Sequence, residues 1–187
     1  MSKNIKSEVS QIDIANLVAI RNNVSKFISR CGMVYDKDGA LLLDVAPQKH
    51  EGASPYFKRS TVETLDIDKN AGATYTADLC VNNKSKITSN HFDYIVCTEV
   101  LEHTLQPFAA VNEIERLLKA GGFTFVSVPF NFRIHGPLPD CWRFTEHGLR
   151  ALFKNFEILE LKLLETKDRF LMPIHYTLIA KKNRNEQ

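Results

Sequence analysis

No apolar run in this sequence reaches the length of a membrane span. The longest, around residues 123–130, is strand-sized and broken by Thr and Ser. No sign of charge dominates: 24 basic side chains face 22 acidic ones, for a net charge of +2. Such a balance carries no electrostatic footprint for nucleic acid. The one dense basic stretch, Lys181, Lys182 and Arg184, reads as a solvated tail. The opening MSKNIKSEVSQ has no apolar segment of the kind a secretory signal requires. Cysteine is sparse and scattered: Cys31, Cys80, Cys97 and Cys141 include no CxxC pair. That argues against a disulfide framework or zinc site and for free thiols in a reducing compartment. The expectation is a cytoplasmic protein that engages neither nucleic acid nor membrane. No signal for an oligomeric state is present.

A glycine-rich phosphate loop is missing too. After the first strand candidate the chain reads Asp44-Val45-Ala46-Pro47-Gln48-Lys49-His50-Glu51-Gly52, with Ala46 where a first glycine would stand. A pyrophosphate-binding NAD site needs GxGxxG at a helix N-terminus, so a nucleotide-dependent oxidoreductase is disfavoured.

What is present is an alternation of helix and strand. Its 187 residues suit one domain with its own core, spanning 1–187. Ile14, Leu17, Ile20, Val24, Phe27 and Ile28 recur at helical spacing and predict a helix over about 10–30. Gly32 and the DKDG of 36–39 then mark a break and a turn. The main core is expected over about 38–181, before a short basic tail. The run 40–46 reads as a buried parallel strand, followed by strand candidates at 61–68, 73–79 and 92–97. Pro107 opens a helix whose apolar face is Phe108, Val111, Ile114 and Leu118, with Gly121-Gly122 as its expected stop. A fifth strand is predicted at 123–130. Thr145 caps a short helix, and strands from Glu157 and His175 close the chain. Helices between the early strands look short or missing. The fold class expected is α/β: a Rossmann-like, doubly wound sheet of about seven strands, mostly parallel, with an antiparallel C-terminal strand. Ligands then belong at the carboxyl ends of the strands.

Three acids end the first three strand candidates: Asp44, Asp66, 22 residues later, and Asp78. An acid at the second strand tip accepts from both ribose hydroxyls, at an offset of about 20 residues from the first loop. One after the third strand can accept from an adenine amino group. Each is also ordinary turn punctuation.

The segment FDYIVCTEVLEHTLQPFAAVNEIERLLKAGGFTFVSVPF resembles the second half of class I S-adenosylmethionine-dependent methyltransferases, in particular the subgroup related to ubiquinone-biosynthesis methyltransferases. The features that carry the likeness are the FDYIVC strand, the LEH turn of Leu101–His103, the EIERLLK helix and AGG before the fifth strand. HGPLPDCWRFTEHGLRALF, from His135, is similar to a loop found among polysaccharide and small-metabolite methyltransferases. The resemblance spans about residues 38–180. It implies S-adenosylmethionine as cofactor and methyl transfer to a small molecule, a sugar or secondary metabolite. By the same resemblance, Asp44, Ala46, Pro47 and Gln48 would line the methionine end. Asp66 would hold the ribose with Ile67 against the adenine, and Asp78 and Leu79 would meet the adenine edge. Cys97, Thr98 and Glu99 would lie beneath the sulfonium. The alternative is an inactive methyltransferase fold serving as a binding or partner subunit.

A base is needed if the acceptor is a hydroxyl or a protonated amine. His135, after the fifth strand, is the candidate; the other reading is a loop histidine bonded to backbone. His103 reads as structural. His50 has no spacing that assigns it a role. Arg143 is a candidate for gripping an anionic acceptor, with pairing to Asp140 as the structural reading. Trp142 and Phe144 read as lid packing. Glu99, Glu102 and His103 have no further metal ligand in register along the sequence, so the site reads as metal-free.

Overall fold

The computed structural model describes residues 9–48 and 51–184. Helix α1 (Gln11–Tyr35) is followed by β1 (Leu41–Val45), β2 (Thr61–Asp66), β3 (Tyr75–Thr76) and β4 (Phe92–Thr98). A single 3-10 turn, Leu101–His103, leads into α2 (Pro107–Leu117) and then β5 (Leu118–Pro129), α3 (Glu146–Leu152), β6 (Phe156–Leu164) and β7 (His175–Lys182). The strands make one seven-stranded sheet in the order β3-β2-β1-β4-β5-β7-β6. Only β7 runs against its neighbours: it pairs antiparallel with both β5 and β6, while the other pairings are parallel. The expected mostly parallel Rossmann-like sheet with an antiparallel last strand is the one found.

Alternation along the strands splits the core into two layers. Leu42, Tyr94, Val96, Phe125 and Ile179 point to one face and pack under Phe27, Ile28 and Cys31 of α1. Leu43, Ile95, Cys97, Val126 and Leu178 point to the other, beneath Val111 and Ile114 of α2 and Leu149 of α3. Side chains of period two on a strand dictate this division.

Three local readings are corrected. Helix α1 does not stop at Gly32 but runs to Tyr35. The glycine is there for close approach, since a Cβ on it would lie 2.3 Å from the Tyr56 carbonyl oxygen. Gly121-Gly122 does not stop α2, which ends at Leu117; both glycines lie inside β5, whose pairing with β4 shifts register between Phe92 and Tyr94. The 73–79 strand shrinks to two paired residues. Thr145 does cap α3, its hydroxyl accepting from the Gly148 N–H at 3.1 Å. No helix is described between β1, β2 and β3.

Candidate active site

The strand order reverses between β1 and β4, so the loops leaving their carboxyl ends diverge to opposite sides and open a crevice. Six described non-glycine residues have positive φ, and three of them flank this crevice: Ala46 (51°), Gln48 (54°) and Glu99 (55°). The left-handed region costs a residue bearing a Cβ about 1–2 kcal/mol. Strain gathered in this way marks a backbone held in place for a task.

The loop after β1 is fixed by Asp44. Its Oδ2 accepts from the Ala53 N–H at 2.7 Å. The turn that brings Ala53 there passes through Gly52 at φ 59°, where an added Cβ would lie 2.1 Å from that same oxygen. Burial pushes the Asp44 pKa up to about 6, against the downward pull of the Ala53 N–H. The protonated form is thus favoured in the fold, and its stabilising contribution is lost as pH rises from about 4 through about 6. Asp44→Asn is expected to remove that dependence. Denaturant unfolding of the two proteins should diverge by about 3 kcal/mol across this interval, and parallel pH profiles would refute the assignment.

Around the crevice the chain builds one continuous cleft. Ala46, Gln48, Asp66, Ile67, Asp78 and Leu79 line one side, and Glu99, Val100, His103 and Thr104 the other. Pro137 and Pro139 come in from the loop after β5. The Asp66 side chain is buried, and its Oδ1 takes the Asp68 N–H at 2.8 Å; Ile67 beside it is 68% exposed. Asp78 caps its own turn through the Cys80 N–H. Asp44 and Pro47 instead face an adjoining hollow with Ser54 and Thr64, which shares Gln48 and Asp66 with the cleft. Cys97 is fully buried under α2, its thiol pKa raised by burial, and Thr98 is half-buried; neither lines the cleft. His50 lies outside the described residues.

Glu99 is held by a chain of partners far apart in sequence. Its Oε1 accepts from Ser127 Oγ at 2.8 Å and from the fully buried His175 Nε2 at 2.6 Å. The Nδ1 of His175 in turn faces the amide of Asn23 on α1 at 2.8 Å. Asn16, about two turns earlier on the same face of α1, donates to the Asn131 carbonyl. Thus α1 reaches the site through amides rather than apolar contacts, a linkage no sequence spacing discloses.

The loop from Phe130 to Thr145 folds back over the Leu101–His103 turn. The backbone N–H groups of Cys141 and Trp142 both donate to the Glu102 carbonyl, and the Trp142 indole donates to the Thr104 carbonyl at 2.7 Å. Trp142 stacks on Phe144 as lid packing. Arg143 uses all five of its N–H donors within the loop: two on the Asp140 carboxylate and three on the carbonyls of Phe132, Arg133 and Trp142. The structural reading of Arg143 is the one observed; in this arrangement it has no donor left for an acceptor. The Asp140 side chain is fully buried, and the Arg143 guanidinium holds its pKa down to about 2. Asp140 also takes the His135 backbone N–H at 2.9 Å and sits 3.1 Å from its Nδ1. Burial lowers the His135 pKa despite that neighbour.

No described helix is long and apolar enough to cross a membrane. No curated protein matches the chain in sequence. Solved structures share its fold. An S-adenosylmethionine-dependent methyltransferase from Methanosarcina mazei aligns at 18% identity over 81% of this chain and 96% of its own, with a TM-score of 0.63. A putative methyltransferase from Bacillus halodurans aligns at 13% over 83% and 98%, with a TM-score of 0.62. The [4+2]-cyclase SpnF aligns at 16% over 83% and 81%, with a TM-score of 0.64. The sequence profile of the methyltransferase domain family matches residues 19–161, well over half of the chain. With that match and the strand-end cleft in agreement, the chain belongs to the class I S-adenosylmethionine-dependent methyltransferases.

Proposed function

We propose that the chain, as one methyltransferase domain, transfers a methyl group from S-adenosylmethionine to a small molecule such as a sugar or secondary metabolite. The observation that carries this reading is the cleft itself. Its cofactor side ends in acids and an exposed apolar residue, and its other side is bounded by the chain's own loop through Pro137 and Pro139. The residues fit the cofactor: the buried Asp66 carboxylate lies beside exposed Ile67, an acceptor for a ribose diol next to a surface for adenine. Asp78 and Leu79 bound the adenine edge, and Ala46 and Gln48 turn the backbone toward the methionine end. Glu99, fixed by His175 and Ser127, provides a rigid anion at the tip of β4. The ubiquinone-biosynthesis subgroup is supported by the LEH turn, whose His103 lines the cleft while Leu101 and Glu102 are buried behind it.

The cofactor supplies an electrophilic methyl for in-line displacement, so the protein's work is to align the acceptor and exclude water. His135 is the acceptor-side base. Its Nδ1 faces the Asp140 carboxylate and the Arg133 carbonyl, both acceptors, so the proton resides there and the Nε2 lone pair is free to take another. Its lowered pKa keeps it neutral near pH 7.

Asp66→Ala removes the acceptor for two hydroxyl donors. Bonds to a charged group are worth about 1.5–3 kcal/mol, so cofactor affinity should fall at least tenfold by calorimetry. An unchanged affinity would remove Asp66 from the ribose site. Incubation with methyl-labelled cofactor and fractionated metabolites tests the activity: label in a small molecule supports it. Cofactor binding with no transfer to any fraction, or no binding, supports the inactive-subunit reading.

A further inference from the structure

We propose that His175 and Asn23 are positioning residues that hold the Glu99 carboxylate at the wall of the cleft, where its charge selects the sulfonium cofactor over the neutral thioether product. The inference rests on the methyl-transfer reading and concerns how that site tells its two cofactor forms apart. The hydrogen bonds come first. The Asn23 amide nitrogen lies 2.8 Å from His175 Nδ1, so Nδ1 is the acceptor there and the ring hydrogen sits on Nε2. Nε2 lies 2.6 Å from Glu99 Oε1, and Ser127 Oγ donates to the same oxygen at 2.8 Å. The Glu99 backbone N–H donates to the Ser127 carbonyl at 3.0 Å. Backbone and side chain are thus both clamped, as a residue held at φ 55° requires. Both side-chain donors fall on Oε1 and leave Oε2 to the cleft that Glu99 lines.

The imidazole is fully buried, and both of its ring nitrogens are paired. Burying a polar ring is costly unless every polar atom finds a partner. An apolar side chain would fill the same place without that demand. What the imidazole adds is a fixed donor to Glu99, and what Asn23 adds is the tautomer that puts the donor there. The charge comes next. Burial, and after it the charge of Glu99, push the Glu102 pKa well above the usual carboxylate range. The negative charge at this end of the cleft therefore resides on Glu99. No lysine or arginine lines the cleft among the described residues, and the Arg143 donors are all taken within its own loop. The Glu99 charge is left for the ligand.

Methyl transfer breaks the sulfur–methyl bond with its electron pair returning to sulfur, forms the bond to the acceptor atom and passes the acceptor's proton to the base. The cofactor therefore enters as a sulfonium cation, and its product leaves as a neutral thioether. Apart from the methyl group the two have the same parts. A fixed anion attracts the first and has no net attraction for the sulfur of the second. Held rigidly at the tip of β4, Glu99 lets the site give up product while it retains fresh cofactor.

The test reads binding rather than turnover. S-adenosylmethionine and S-adenosylhomocysteine are each titrated by calorimetry at low ionic strength, where charge effects are least screened. Glu99→Gln keeps the shape and the two bonds on Oε1 and removes the charge. It should weaken S-adenosylmethionine about tenfold and S-adenosylhomocysteine less than about threefold. His175→Asn, whose amide reaches only as far as Nδ1 did, should move the ratio of the two affinities the same way. His175→Gln, whose amide nitrogen reaches the place of Nε2, should keep the wild-type ratio. Asn23→Ala, on α1, should move the ratio in the direction of Glu99→Gln but by less. Circular dichroism and melting show which variants are folded; should the buried substitutions fail to fold, Glu99→Gln and Asn23→Ala carry the test. Equal weakening of both ligands by Glu99→Gln, or a ratio unmoved by Asn23→Ala and by any folded His175→Asn, overturns the proposal and leaves the methyl-transfer reading intact. Wild-type protein that binds neither ligand overturns both.

Discussion

Gly52→Ala is expected to destabilise the protein by about 2.5–5 kcal/mol and to dismantle the loop after β1. Two effects add. The residue sits at φ 59°, which costs a side chain with a Cβ about 1–2 kcal/mol. The new methyl would also meet Asp44 Oδ2 at 2.1 Å and Pro47 Cβ at 2.9 Å. Asp44 is buried beside the adjoining hollow, and to clear the methyl its carboxylate must rotate and give up its bond to the Ala53 N–H. A hydrogen bond to a charged group contributes about 1.5–3 kcal/mol. Urea unfolding measures the loss, and calorimetry should show weakened cofactor binding in whatever folded fraction remains. A cost below about 1 kcal/mol would mean that the loop repacks and that Asp44 is not its anchor.

His135→Ala should lower turnover by roughly 10²–10⁴-fold while leaving cofactor affinity nearly intact. In the proposed site the imidazole lies on the acceptor side, reached through the loop after β5, whereas the ribose and adenine groups are assigned to the ends of β2 and β3. Its removal also leaves Asp140 paired to Arg143, so the loop keeps its main clasp. The split between turnover and cofactor affinity separates a role in the reaction from a general loosening. A loss of less than about threefold would show that the acceptor is already a competent nucleophile and needs no base.

Much of this was legible along the chain because the physics is local. A continuous apolar run such as LLLDV can only be buried on both faces, and β1 lies where that run lies. Pro107 and Thr145 start α2 and α3 through rules that act within one turn. The glycines misled where their role is not local. Gly32 answers to Tyr56, and Gly122 sits where a Cβ would lie 2.9 Å from the Asp93 carbonyl oxygen of the neighbouring strand. Neither constraint has a signature at its own position. The site divides the same way. Strand-end acids are visible because the strands are visible, and Asp66 and Asp78 do reach the cleft. The Glu99–His175–Asn23 chain joins three separate elements and was not readable. His135 meets Glu102 only because Cys141 and Trp142 fold back onto that turn. The spacing of Asp140 and Arg143 announced their pairing, but the three backbone carbonyls that take the rest of the guanidinium's donors have no side-chain signature.

The lack of any described helix between β1, β2 and β3 has a thermodynamic corollary. β1, β4, β5 and β7 pack against helices on both faces, whereas β2 is flanked by loops and by a third strand of only two residues, at the edge proposed to meet the adenosyl group. At the proposed site, covering that edge would fall in part to the bound nucleoside, which would take over work a crossover helix performs in a fully wound sheet. Its affinity would then be partly a folding free energy, and the empty and loaded proteins would differ in how far the cooperative unit extends.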